Sequence, residues 1–84
     1  MRSKHRRTLE RIFANPTPVD IRWRDIEAAL RACGVEFTER AGSRVGLRIG
    51  RERMIVHRPH PGPNAGRATV RDIAAFLRSA GVEP

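Results

Sequence analysis

Eighty-four residues, 9.5 kDa, suffice for one domain with one modest core and leave no room for a second. Seventeen Lys and Arg against nine Asp and Glu give a net charge of +8 and a pI near 11.7, which points to a polyanionic partner, nucleic acid or an acidic protein. The lone cysteine, Cys33, excludes an internal disulfide, no apolar run reaches membrane-spanning length, and "MRSKHRR" lacks the apolar core of a signal peptide, so a cytoplasmic protein with no membrane partner is expected.

The segment "SKHRRTLERIFANPTP" puts Leu9, Ile12 and Phe13 on one helical face before Asn15, Pro16 and Pro18 end it, which predicts a short helix over about residues 4 to 14. In "DIRWRDIEAALRACG" the apolar positions Trp23, Ile26, Leu30 and Cys33 recur at helical spacing, and Gly34 serves as the stop. The period then changes to two. Val35 and Phe37 alternate with Glu36 and Thr38 up to a turn at Ala41-Gly42, and Val45, Leu47 and Ile49 alternate with Arg44, Gly46 and Arg48 up to a turn at Gly50-Arg51. "RMIVH" makes a third strand, and the short connections imply an antiparallel meander. "RPHPGPNAGRA" is a loop by its prolines and glycines, and from Ala68 the helical period returns through Val70, Ile73, Leu77 and Ala80 to Gly81. The expected fold is α+β in the order α, α, β, β, β, α. Helices cover one sheet face and the other is left open, with residues 1–18 as an N-terminal helical extension to a single domain.

Alternation on the second strand forces Val45, Leu47 and Ile49 to one face and Arg44 and Arg48 to the other. If Met54 and Val56 also face the helices, His57 joins the two arginines on the open face, with His60 close by in the loop. Such a surface can hold phosphates through arginine forks, and histidine, which ordinarily titrates near pH ~6.5, can move protons during RNA cleavage. RNA carries its own nucleophile, the 2′-hydroxyl, so that chemistry needs an acid, a base and charge stabilisation rather than a metal. Plainer readings stand beside this one. The arginines can be a solubilising device on the sheet, His57 can be a half-buried ring bonded to a neighbouring carbonyl, and His60 can be an exposed loop side chain. His57 and His60 have a spacing met in zinc sites, but the remaining soft ligands are His5 and Cys33, the latter on an apolar helix face, so neither metal nor cofactor is expected. The same position reads Cys33 as a small core residue rather than a nucleophile, and Trp23 as core. With no Tyr and three Phe, the aromatic platforms of single-strand binders are missing.

From about Ile21 to Val82 the ordering resembles the HicA family of toxin–antitoxin systems. The residues that carry the resemblance are the apolar helix ending in Gly34, Gly42-Ser43 opening the second strand, "HRPHPG" after the third, and "GRATVRDIAAFLRSAGV" as the closing helix. The resemblance implies a compact fold like a double-stranded RNA-binding domain over residues 20–82, mRNA cleavage, and neutralisation by an acidic HicB-like antitoxin. On the open face read from alternation, Arg44 and Arg48, with Gly42 and Ser43 beside them, are the expected phosphate contacts; His60 matches a histidine that many relatives carry near the end of the third strand, and His57 is a further proton-transfer candidate nearby. Typical members place a histidine directly after the Gly-Ser pair; here Arg44 stands there. Arginine stays protonated at any working pH, so Arg44 can stabilise charge and cannot act as a general base. Three functions stay open: a ribonuclease using His57 or His60, an RNA binder that does not cut, and a basic surface made chiefly for a partner protein.

Overall fold

The computed structural model describes residues 1–59 and 62–84. Three helices, α1 (Ser3–Ile12), α2 (Trp23–Ala32) and α3 (Arg67–Ser79), accompany one antiparallel sheet of β1 (Glu36–Glu39), β2 (Arg44–Ile49) and β3 (Glu52–His57) in the order β1-β2-β3. This is the expected α-α-β-β-β-α, α+β arrangement, like a double-stranded RNA-binding domain with a further helix before it.

Each element ends for a local reason. α2 closes in a Schellman motif: the Gly34 N–H donates to the Arg31 carbonyl and the Val35 N–H to the Leu30 carbonyl, both at 3.0 Å. Gly34 adopts φ +94°, a left-handed value that a side chain would strain. α3 repeats the motif at Gly81 and Val82, which bond Arg78 and Leu77 at 3.0 and 2.9 Å. The β2–β3 hairpin turns on Gly50 and Arg51 between the paired residues Ile49 and Glu52. Gly50 has φ +57° and no non-glycine residue among the described residues has a positive φ, which makes this a type II′ turn, whose twist suits the flanking strands.

The core lies between the helices and one sheet face. Ile26, Leu30, Val70, Ile73 and Leu77 are fully buried from the helices, and Val45, Leu47 and Val56 meet them from the sheet. α1, expected as an extension, puts Leu9 and Ile12 into the same cluster at 1% exposure each and packs against both α2 and α3. Its exposed face carries Lys4, Arg6, Arg7 and Arg11, with Arg2 just before it. No helix among the described residues is long and apolar enough to cross a membrane.

Truncating a fully buried leucine removes its transfer free energy and leaves a cavity, a cost of about 2–5 kcal/mol. Leu9→Ala is therefore expected to lower the melting temperature by about 10 °C or more in a domain of this size. An unchanged melting curve would show that α1 is not part of the core.

Candidate nucleic-acid interface

The open face is dictated by the pleat of β2, which is hydrogen-bonded on both sides. Its register with β3 pairs Arg44 with His57, Gly46 with Ile55 and Arg48 with Arg53; its register with β1 pairs Arg48 with Glu36 and Gly46 with Thr38. Because Val45, Leu47 and Val56 point into the core, all of these side chains stand on the opposite face. Arg44, Arg48 and His57, expected there from alternation, are exposed. His57 is thus an exposed strand residue rather than a half-buried one.

The Arg58 N–H donates to the Ser43 carbonyl at 2.9 Å, one step beyond the Arg44/His57 pair. That bond makes Arg44 and His57 a non-hydrogen-bonded pair, the kind whose side chains approach most closely, with Cα atoms about 4.5 Å apart. A permanent cation and an imidazole therefore sit side by side, free of the core. The turn before them sets their position: Gly42, at φ +72°, and exposed Ser43 reverse the chain, and Arg44 Nε donates back to the Ala41 carbonyl at 3.2 Å.

The remaining cations of the face differ in how they are held. Arg48 is ion-paired and hydrogen-bonded to Glu36 across the β1–β2 ladder, which neutralises part of its charge. Arg53 is exposed beside it. Arg40, just past β1, folds back over Gly46: three atoms of its Nε–Cζ–Nη group lie 3.0–3.7 Å from the point a Cβ at Gly46 would occupy. Around it Thr38, Gly46, Arg48, Arg53 and the half-exposed Ile55 line an open depression of about 640 Å³.

Beyond β3 the chain is anchored. Arg58 reaches β1 with a two-pronged grip on Glu39, Nη1 to Oε1 at 2.7 Å and Nη2 to Oε2 at 2.5 Å. The loop is tied again further along, where the Trp23 N–H donates to the Pro63 carbonyl at 2.8 Å and the Ala65 N–H to the Ile21 carbonyl at 2.9 Å. The first bond also satisfies a donor that the start of α2 would otherwise leave unpaired. His60 lies between these anchors in sequence and outside the described residues.

Cys33 is half-buried, and burial pushes its thiol up, which disfavours the nucleophilic thiolate. Trp23 is buried, its Nε1–H donating to Glu27 Oε1 at 3.1 Å, as expected of a core tryptophan. The expected site residues omitted Arg40, Gly46, Arg53 and Ile55. Alternation along "RMIVH" already carried the signal for Arg53 and Ile55, since the pattern that turns His57 outward turns them outward too.

A family model described as "HicA toxin of bacterial toxin-antitoxin" matches residues 23–82, well over half of the chain. The chain belongs to the HicA toxin family. It is accordingly a toxin of a toxin–antitoxin system, and HicA membership implies an antitoxin partner. No curated protein and no solved structure matches it. The HicA match covers α2, the whole sheet and α3, while α1 lies outside it although its leucine and isoleucine are core.

Hydrogen bonds from Arg58 hold the Glu39 carboxyl below its ordinary value of 4.5, and the same contact raises Arg58. A lowered carboxylate contributes stability that is present above its unfolded value and is lost as pH falls through the folded one. Glu39→Gln should therefore lower the melting temperature slightly at neutral pH, with the gap to the parent closing as pH drops below about 4.5. The pair is exposed, so the gap should also shrink in about 1 M salt. A gap that persists at pH 2–3, set by unfolding of both proteins across pH, would rule out the ionic clamp.

Proposed function

We propose that this HicA-family toxin binds RNA on the open face of its sheet and cleaves it without a metal, using histidine for proton transfer and Arg44 for charge. The observation that carries this reading is the direct cross-strand pairing of Arg44 with exposed His57. The family resemblance places a histidine where Arg44 stands; an imidazole is present one strand over, on the same face and at the closest kind of pairing a sheet offers.

The chemistry then divides between the two strands. The 2′-oxygen attacks the adjacent phosphorus and the P–O5′ bond breaks, leaving a 2′,3′-cyclic phosphate and a 5′-hydroxyl. One group must take the 2′ proton and another must protonate the departing 5′ oxygen; His57 and His60 are the candidates for these roles. Arg44, always protonated, neutralises charge building on the non-bridging oxygens, with Gly42 and Ser43 shaping the turn and Arg48 and Arg53 following the backbone. An acidic, HicB-like antitoxin would neutralise the toxin by covering this cationic face.

The same arginine supports a second reading, in which the face holds RNA and leaves it intact, because Arg44 occupies the position where the family's histidine is expected. One assay separates the two. Purified protein is incubated with a long RNA in excess EDTA, and the ends formed are mapped. Cleavage should persist, with 2′,3′-cyclic phosphate ends. His57→Ala or His60→Ala should slow it by about 10²–10⁴. Arg44→Ala should cost about 10²–10³. The exchanged pair Arg44→His with His57→Arg keeps both groups on neighbouring strands and should retain more activity than His57→Ala alone. Tight binding with no cut ends would establish the binding reading. Cleavage indifferent to both histidines would refute the proton-transfer scheme.

A further inference from the structure

The depression beside the Arg44/His57 pair has a shape that phosphate contacts do not explain. A row of three residues crosses the open face next to that pair: Thr38 on β1, Gly46 on β2 and Ile55 on β3. At its centre Gly46 contributes nothing above the sheet, and Arg40 occupies the space, its Nε 3.0 Å from where a Cβ would stand. Any side chain at position 46 must push the guanidinium away. Gly46 sits in regular strand rather than at a left-handed turn, so backbone geometry does not require a glycine here. What its bare surface permits is a planar cation lying low on the sheet, next to a half-exposed isoleucine.

An exposed apolar side chain beside a planar guanidinium, ringed by further arginines, has a specific complement. Unstacked nucleobases stack on aromatic rings or on arginine planes, and this chain has no Tyr, while Trp23 and Phe76 are buried and Phe13 and Phe37 are packed against the core. Among the described residues the planar groups on the open face are therefore guanidinium groups and the His57 ring. Gly46 lies two residues from Arg44 on the same face, about 6.5–7 Å along the strand, close to the span of one nucleotide in an extended chain.

We infer that the depression is a nucleobase subsite, in which a base of single-stranded RNA stacks on Arg40 and packs against Ile55 while its neighbouring phosphate lies at Arg44 and His57. Thr38, exposed on β1 and lining the depression, is the group placed to read that base, and Arg48 and Arg53 flank the following phosphate. The inference rests on the RNA-binding reading above and adds to it a requirement for a base at one position.

The test uses a single-stranded 2′-O-methyl RNA hexamer, which lacks the nucleophile and so reports binding alone, together with six versions that are abasic at one position each. Affinities are read by fluorescence anisotropy for the parent protein, Arg40→Gln and Gly46→Val. Arg40 is exposed and valine suits a strand, so both variants are expected to fold, which melting curves verify. The parent should lose about fivefold to a hundredfold in affinity when the base at one particular position is missing. In both variants the intact hexamer should bind more weakly than to the parent, and that abasic penalty should vanish. If the parent binds the hexamer and every abasic version equally, or if the penalty survives in both variants, the subsite is refuted while RNA binding stands. If the hexamer is not bound at all, the RNA-binding reading fails and the subsite with it.

Discussion

The central strand carries the molecule's organisation. β2 is hydrogen-bonded to β1 and β3, so its side chains have two places to go, and Val45 and Leu47 must be buried for the helices to have anything to pack on. A slip of one residue in register would exchange every one of them with Arg44, Gly46 and Arg48, placing arginine in the core. The burial that stabilises the fold therefore also enforces the charged face. β3 follows through the tight Gly50-Arg51 turn, which leaves no slack in the pairing and delivers His57 opposite Arg44.

Charge alone does not single out that face. Residues 1–14 hold five cations against one acid, half of the net +8, and much of this charge lies on the exposed side of α1. That placement opposes the helix dipole, with Lys4, His5 and Arg6 in the first turn and no acidic residue there, and part of it is offset by Asp25 near Lys4 and Asp20 on Arg11. The sheet face differs in kind. It joins permanent cations to an exposed imidazole and to a depression with apolar lining, and it lies within the part of the chain that matches the HicA family. In the proposed reaction, charge stabilisation falls to Arg44 on one strand and proton transfer to His57 on the next. For a cleaving enzyme that division is workable, because the two side chains are nearest neighbours.

Much of this was legible in the residues. The change of apolar period from 3.6 to 2 after Gly34, and back after the proline-rich loop, marked the elements; Gly34 and Gly81 marked the ends of two helices. Alternation placed Arg44, Arg48 and His57 together. Contacts between residues distant in sequence were not legible. Nothing local shows that Arg58 grips Glu39 across the sheet, that Pro63 and Ala65 bond Trp23 and Ile21, or that Arg40 bends back over Gly46. Leu9 and Ile12 were readable as an apolar stripe, but a stripe does not say what it packs on, and the prolines after it suggested separation where the structure brings α1 back onto α2 and α3. His60, the histidine that the resemblance puts first, lies outside the described residues.

The central claim is that nucleic acid meets the open sheet face and not the helical side. Titrating the isotope-labelled protein with a short single-stranded RNA, non-cleavable at the 2′ position, and following backbone amide and arginine side-chain resonances by NMR tests it most directly. The account predicts progressive, salt-sensitive shifts at Thr38, Arg40, Arg44, Gly46, Arg48, Arg53, Ile55 and His57, with the exposed residues of α1 little changed. Shifts concentrated on Arg2, Arg6 and Arg7, with the sheet face unmoved, would contradict it.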